Sequence, residues 1–595
     1  MEIKMMKEHN RNKNLKLSLL LLLGICQFTF SQDGDDDLGT ESVTVTKSYT
    51  PTIADAFKIK SIPDLNDSIA LQKKNVEYSI FSVPVASTFA PAKGQASKVK
   101  KTPPPVLYNS YASAGGGNPA NVTAKFYTSR NIDRESGYTI GLRHNSSRAN
   151  IDGVVLDNFF SDSKLDASYK KRTRDIDWGA DAAFQHQLYN WYGLPEGIFD
   201  AATVASIDPR QNYFMAEAGA HINVEDSYFE SAAIQYRRFW DAVKSGENRA
   251  VFKPSFNFPV GEENFGIKFK LDYVSGTFAN ADVNNIQNTG ENEYGHFQAG
   301  VNPSLTMLRD NLALNLGLNI VYGIDSDEQN STGNFYIYPA VTASYRLLNE
   351  FAIAYAGIEG ELVQNSYYGF TEENPFVSPT LTIQPTDKQY DSYIGLRGQL
   401  LPNLSYNFKG SYTAENRKPL FNLNPQNPTR NDEKGYYYGN SFELFYDDIK
   451  TLGVFAELNI DVNRNFTMSI NGEFYNYNTE TGNPAWNLPE VKGSLFMDYQ
   501  IGEQWFLGAN LFYVGERKDF SQIAQPNIQP VDFPATIITL DDFFDANAHI
   551  GYRLNDQLSI FAKAANIANN NYQRWANYPV QGFQILGGAT YKFDF

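Results

Sequence analysis

The chain has 595 residues, a formal net charge of −17 and a slightly polar mean hydropathy of −0.41, yet 14% of it is aromatic, with 37 Tyr and 42 Phe. An acidic balance of this size argues against a nucleic-acid partner. Modest hydropathy with many aromatics fits either several soluble domains or a transmembrane barrel, in which only alternate residues meet lipid.

At the N-terminus, Lys4, Lys7, Arg11, Lys13 and Lys16 precede an apolar run from Leu17 to Phe30, and Thr29 and Ser31 stand before a cleavage point at Gln32. This pattern predicts a secretory signal peptide over 1–31. Its rival, lipid attachment at Cys26, is disfavoured because Ile25 stands where a small residue is needed. Cleavage removes five basic and two acidic residues, taking the formal charge from −17 to −20, and leaves no cysteine for disulfides or thiol chemistry. Beyond the signal there is no apolar run of about 18 residues, so a helical membrane protein is excluded.

Residues 32–105 predict a periplasmic, mostly irregular segment. It opens on Asp33, Asp35, Asp36 and Asp37, carries a basic cluster at Lys98, Lys100 and Lys101, and ends in Pro103-Pro104-Pro105.

From 106 to 595 one pattern repeats, a segment of alternating polarity followed by a connection. Leu312, Leu314, Leu316, Leu318, Ile320 and Tyr322 share one face, opposite Asn311, Ala313, Asn315, Gly317 and Asn319. Leu404, Tyr406, Phe408 and Tyr412 repeat the period of two, as do Phe466, Met468, Ile470 and Phe474. Short turns alternate with long loops rich in Asn, Asp, Gly and Pro, the asymmetry of outer-membrane barrels. Turns near Ile132, Arg174, Val224, Gly261, Arg309, Asn349, Pro402, Arg464, Gly502 and Asn555, with an opening strand near 107–116 and a closing one near 582–595, predict an all-β transmembrane antiparallel barrel of about 22 strands. Asp447-Asp448 reads either as an extra turn or as a bend in one long strand.

Two motifs carry a family resemblance. The run Phe543 to Leu554, then Leu558 to Ile567 with Tyr572, resembles the last strands of TonB-dependent receptors, most specifically at Asn566-Ile567 and Tyr572. The ending Gly582 to Phe595 resembles their terminal strand, with Tyr591, Phe593 and Phe595 on one face as a C-terminal signal for the barrel-assembly machine, and Tyr513 to Arg517 resembles one of their barrel strands. Near the mature N-terminus, Glu41, Ser42, Val43, Thr44, Val45 and Thr46 resemble the TonB box, a β-branched extended peptide that can add to the edge of the TonB sheet. The resemblance implies transport or ligand binding at the cell surface, in the lipid bilayer of the outer membrane, with TonB as partner.

The chain departs from the family in one respect: between box and barrel, 47–105 is too short for the family's full plug domain. An unfilled barrel of this size would be a wide aqueous hole. Segment 47–105, folded-in extracellular loops, or a plugging or capping protein partner would have to fill it. Two further readings stay open, a non-transporting barrel subunit of an assembly or secretion complex and a passive porin.

Catalytic patterns are missing, so no enzyme, cofactor or metal is expected. His144, His186, His221, His296 and His549 lack ligand spacing, and there is no nucleophile elbow or HExxH. Asp325, Asp327 and Glu328 could hold calcium but lack the full loop pattern, so a solvated acidic loop is the better reading. Tyr189, Trp191 and Tyr192 could stack on a sugar, and an interfacial aromatic girdle is the favoured alternative.

Overall fold

The computed structural model describes residues 106–594, apart from 119, 149–150, 196, 280–290, 328–330, 427–434 and 523–534. Segment 1–105, which holds the TonB-box-like peptide, lies outside these residues, as does Phe595.

Alternating polarity builds the wall. Twenty-two antiparallel strands, each paired to its chain neighbours, form one sheet. It closes where the opening strand, Ser110–Asn118, pairs with the last, Gln584–Phe593, from Ser110 opposite Phe593 to Asn118 opposite Ile585. Closure leaves no free sheet edge, the condition for a strand structure to span lipid.

Strand Leu312–Asp327 shows how the faces are assigned. Leu312, Leu316, Leu318 and Tyr322 are exposed outward. From Leu312 to Tyr322 the strand runs ~34 Å, or ~26 Å in height at a tilt of about 40°, matching the apolar band of such barrels. Phe408, Tyr412, Ile470 and Phe474 are exposed in the same way.

The ten expected turns all lie at one end. They connect, for example, Asn121–Asn131 to Ser136–Ser147, Asn292–Arg309 to Leu312–Asp327, and Phe543–Arg553 to Leu558–Ala565. Asp310 (φ 31°), Asn349 (φ 50°), Gly261 and Gly502 supply the left-handed conformations that such tight turns require. At Asp447-Asp448 the structure has one long strand, Phe442–Asn463, and no turn. The irregularity sits on the partner strand: the register skips between Glu415 and Lys418, Arg417 adopts φ 55°, and its N–H donates to the Asp448 carboxylate at 2.7 Å. This β-bulge bends the pair without ending it.

Candidate functional site

At the other end, several connections pack on the upper wall and on one another among the described residues. The upper wall presents Tyr213, Met215, Phe239, Phe278 and Tyr294 inward, and the connection after Ala352–Val363 folds onto them. Its helix, Tyr367–Glu373, is capped by the Ser366 hydroxyl, which accepts from Gly369 N–H at 3.1 Å. Tyr367 is fully buried, with its ring centroid 4.9 Å from Phe278 and 5.1 Å from Phe239. Its N–H donates to Glu247 and its hydroxyl donates to Asp241 at 2.9 Å, so two buried carboxylates anchor one loop residue. Tyr213 donates to the Pro375 carbonyl at 2.9 Å, and Arg237 stacks 4.0 Å over the Tyr368 ring.

Other loops meet across the mouth. Trp191 follows the fifth barrel strand, whereas Tyr436 and Asn440 lie between the fifteenth and sixteenth, about halfway round. Their rings are nevertheless in contact, with the Trp191 and Tyr436 centroids 5.1 Å apart. The Asn440 side-chain amide donates to the carbonyls of Trp191 and Gly435, each at 2.7 Å, and the Asn440 backbone carbonyl accepts from the Tyr578 hydroxyl. Tyr578 in turn stacks on Phe376 at 3.8 Å, joining the loop before the last strand to the helix-bearing loop. Gly193 and Gly435 mark close approaches: a Cβ at Gly193 would lie 2.3 Å from the Tyr578 ring, and one at Gly435 would strike the Asp208 carbonyl.

The connection after strand Trp505–Val514 carries a hairpin of its own, Arg517–Gln522 paired with Ala535–Leu540. This corrects the reading of Tyr513 to Arg517 as one barrel strand. The wall strand stops at Val514, and Arg517 turns into the loop layer, where it donates to the carbonyls of Gln573, at 2.7 Å, and Arg574. Burial, then the nearby Arg574 charge, pushes the Arg517 guanidinium down to about 10, so it stays charged at neutral pH. Beside it Asp519 is fully buried and accepts from Asn487, Leu423 N–H and Phe520 N–H. Burial outweighs those hydrogen bonds and pushes its carboxyl up to about 6.

Where cap residues meet the ends of wall strands lies a cavity of about 270 Å³ that Phe160, Tyr189, Asn190, Asp545, Asn547 and Gln584 help to line. A second, of about 410 Å³, is lined by Asp541, Asp542, Phe543 and Asn570 among others, and Tyr572 borders both. Tyr572 stacks on Phe543 at 3.8 Å and donates to Asp545 at 3.1 Å; burial, then the Asp545 charge, pushes its phenol up, keeping it a neutral donor. Asn566 lies against the first cavity with φ 45°. Its amide donates to the carbonyls of Asn570 and Gln581, and its oxygen accepts from Asn570 N–H. The most specific residues of the resemblance, Asn566 and Tyr572, therefore end a wall strand and organise the cap.

The aromatic group at 189–192 forms no lipid girdle. Trp191 is buried against Tyr436, and Tyr189 and Tyr192 line the first cavity, because the chain turns inward at Asn190, whose amide donates to the Asp157 carbonyl at 2.8 Å. Asp325 is partnered by His296 at 3.2 Å and Arg417 at 3.8 Å, while Glu328 lies outside the described residues. His144 and His186 are hydrogen-bonded to Ser163 and Asn212. No group of potential metal ligands occurs among the described residues. Tyr591 and Phe593 share the outward face of the closing strand, their rings stacked 5.8 Å apart. Sequence reasoning missed the cap residues, although one signal was present: loops bearing Tyr367-Tyr368, Tyr436-Tyr437-Tyr438, Trp575 and Tyr578 are too aromatic to be solvated.

No family model and no curated protein matches the chain. Solved structures do. It superposes on the ferripyoverdine receptor of the Pseudomonas aeruginosa outer membrane at a TM-score of 0.60 and 12% identity, covering 83% of this chain and 73% of that one. The chain has a TonB-dependent-receptor-like barrel. The same likeness extends to the ferric-catecholate import receptor Fiu of E. coli K12, with TM-score 0.58, 12% identity and 82% of each chain covered. It extends also to the siderophore receptor PirA of Acinetobacter baumannii, with TM-score 0.59, 13% identity, and 81% of this chain and 80% of that one covered. At such identities the likeness is one of fold: a closed, 22-stranded antiparallel barrel.

Proposed function

We propose that the protein is a TonB-dependent-receptor-like transporter of the outer membrane, and not an enzyme, whose loop cap is the outer gate and ligand-recognition layer. The observation that carries this reading is the buried aromatic core built by loops from opposite sides of the mouth, with two cavities lined in part by its residues and their neighbours. In this reading the signal peptide 1–31 is cleaved, 32–105 is a periplasmic arm without a full plug domain, and Glu41 to Thr46 add as a strand to TonB. The aromatic residues that end the barrel, Tyr591, Phe593 and Phe595, address the chain to the barrel-assembly machine. A passive porin is disfavoured, since loops that cross the mouth obstruct free diffusion.

The same cap supports a second reading. A mouth held by a desolvated aromatic core suits a barrel that never opens and serves as a subunit of an assembly or secretion complex, with a plugging or capping protein partner. Gentle purification from native membranes distinguishes the two. The transporter reading predicts co-purification with TonB, abolished by Val43→Pro because proline removes a strand hydrogen bond. Stoichiometric recovery with a secretion or assembly machine, and no TonB dependence, would favour the second reading.

A further inference from the structure

We propose that the outward face of the wall carries a binding site for the phosphate of a membrane lipid in the leaflet on the cap side, built from Arg238, Asn248 and Ser275. The site lies outside the barrel and stands whichever reading of the cap holds.

The three residues belong to consecutive strands, Phe229–Asp241, Gly246–Val260 and Glu263–Phe278. They share one row of the ladder, with Arg238 opposite Asn248 and Asn248 opposite Ser275. Successive side chains on a strand face opposite ways. Arg237 faces the lumen, where it stacks over Tyr368, so Arg238 faces outward. Below it on the outward face Tyr236, Ile234, Phe252, Leu271 and Tyr273 are exposed, as side chains in contact with lipid are. Arg238 stands about eleven residues up its strand from the turn at 225–228, or ~28 Å in height at a tilt of about 40°, just past an apolar band of about 25 Å. That is the level of lipid headgroups. The rings of Trp240, Phe214 and His186, stacked in sequence at 5.4 and 4.7 Å beside Arg238, mark the same level as an interfacial girdle.

The donors of this row are unoccupied. Among the described residues no carboxylate pairs with Arg238, and its guanidinium, the Asn248 NH2 group and the Ser275 hydroxyl have no hydrogen-bond partner. Asn248 and Ser275 are also missing from the polar atoms shut away from solvent without a partner, so their donors are open to the outside. The Asn248 oxygen accepts from the Tyr236 hydroxyl at 2.8 Å, which holds the side chain in place and leaves its NH2 group to donate. Gly246, opposite Trp240, makes room for the arginine: a Cβ there would lie 2.7 Å from a guanidinium nitrogen. Arg238 therefore lies along the wall towards the mouth, as a snorkelling side chain does. Snorkelling accounts for the arginine alone; an amide and a hydroxyl in the same row add two more donors for one anion.

A guanidinium fits a phosphate through two parallel, charge-assisted N–H bonds. The outward carboxylate Glu293 is three strands from Arg238, opposite Thr277, so the arginine end of the row is free of competing charge. The apolar side chains directly below select a lipid over a soluble anion, because they would meet its acyl chains.

The test is native mass spectrometry of the full chain, released from detergent in the presence of equal amounts of dioleoyl phosphatidic acid, dioleoyl phosphatidylglycerol and dioleoylglycerol. The two phosphate lipids should be retained and dioleoylglycerol lost, and a large excess of inorganic phosphate should not displace them. Arg238→Gln and Gly246→Ala should each weaken retention about tenfold. Arg174→Gln, in a turn at the far end of the barrel, should leave it unchanged. Heat-modifiable gel migration verifies that each variant is a folded barrel. In native membranes a photo-crosslinking residue in place of Thr277, opposite Gly246, should capture phosphate-bearing lipid. Equal retention of dioleoylglycerol, displacement by inorganic phosphate, retention indifferent to both folded variants, or capture of a protein in place of lipid would overturn the proposal.

Discussion

The Asn440 side-chain amide donates to the backbone carbonyl of Trp191 at 2.7 Å, although the strands flanking these residues stand on opposite sides of the barrel. Asn440 and Ser441 are fully buried, and the Ser441 hydroxyl donates to the Tyr436 carbonyl at 2.8 Å. Buried polar groups joined this way act as a keystone, because removing one side leaves the other unsatisfied in a dry environment. Asn440→Leu should therefore destabilise the cap by about 2–4 kcal/mol, read as faster backbone hydrogen exchange in 191–209 and 435–441. Exchange in wall strands such as Leu312–Asp327 should not change.

The two faces of the wall differ in what they tolerate. Lys at Leu318, exposed to lipid near mid-band, should cost about 2–4 kcal/mol in an unfolding titration from bilayers. Lys at Asn315, on the lumen face of the same strand, should cost well under half of that. Equal costs would mean that the faces have been assigned wrongly.

Asp519 gives the cap hairpin a pH dependence. Its folded carboxyl is pushed up to about 6 by burial, whereas the unfolded value is about 3.9. Between those two values the folded form holds the proton that the unfolded form has released, so stability falls as pH rises, by about 3 kcal/mol in all. Opening of the hairpin strands Arg517–Gln522 and Ala535–Leu540, followed by hydrogen exchange corrected for intrinsic rates, should be rarer at pH 4 than at pH 7. In Asp519→Asn that difference should vanish.

Asn566 combines a left-handed backbone with three side-chain hydrogen bonds. Glycine keeps the backbone option and loses only the bonds; alanine loses both. Protease sensitivity of 566–583 should rank Asn566→Ala above Asn566→Gly above the parent, with about 1 kcal/mol between the variants.

Much of the wall was legible in the sequence, and the reason is physical. A lipid-facing strand must alternate with period two and must end in a tight turn, so Leu312 to Tyr322 and residues such as Asp310 and Asn349 announce themselves locally. Asp447-Asp448 was ambiguous because a bulge on one strand is caused by residues of its partner, here Asn416 and Arg417, which a reading along one strand does not see. The cap had no such local code. Trp191, Tyr436 and Tyr578 meet across hundreds of residues and follow no period, so a girdle at 189–192 was the natural expectation. What the sequence did carry was composition, in loops too aromatic to sit in water.

Ionic conductance in planar bilayers tests most directly whether the chain's own loops close the mouth. The parent protein should show no large steady pore, and a variant in which 425–440 is replaced by a short Gly-Ser turn should conduct steadily, because the bridge from Asn440 and Tyr436 to Trp191 is gone. A parent that conducts as a wide open pore, or a folded loop variant as impermeable as the parent, would contradict the account.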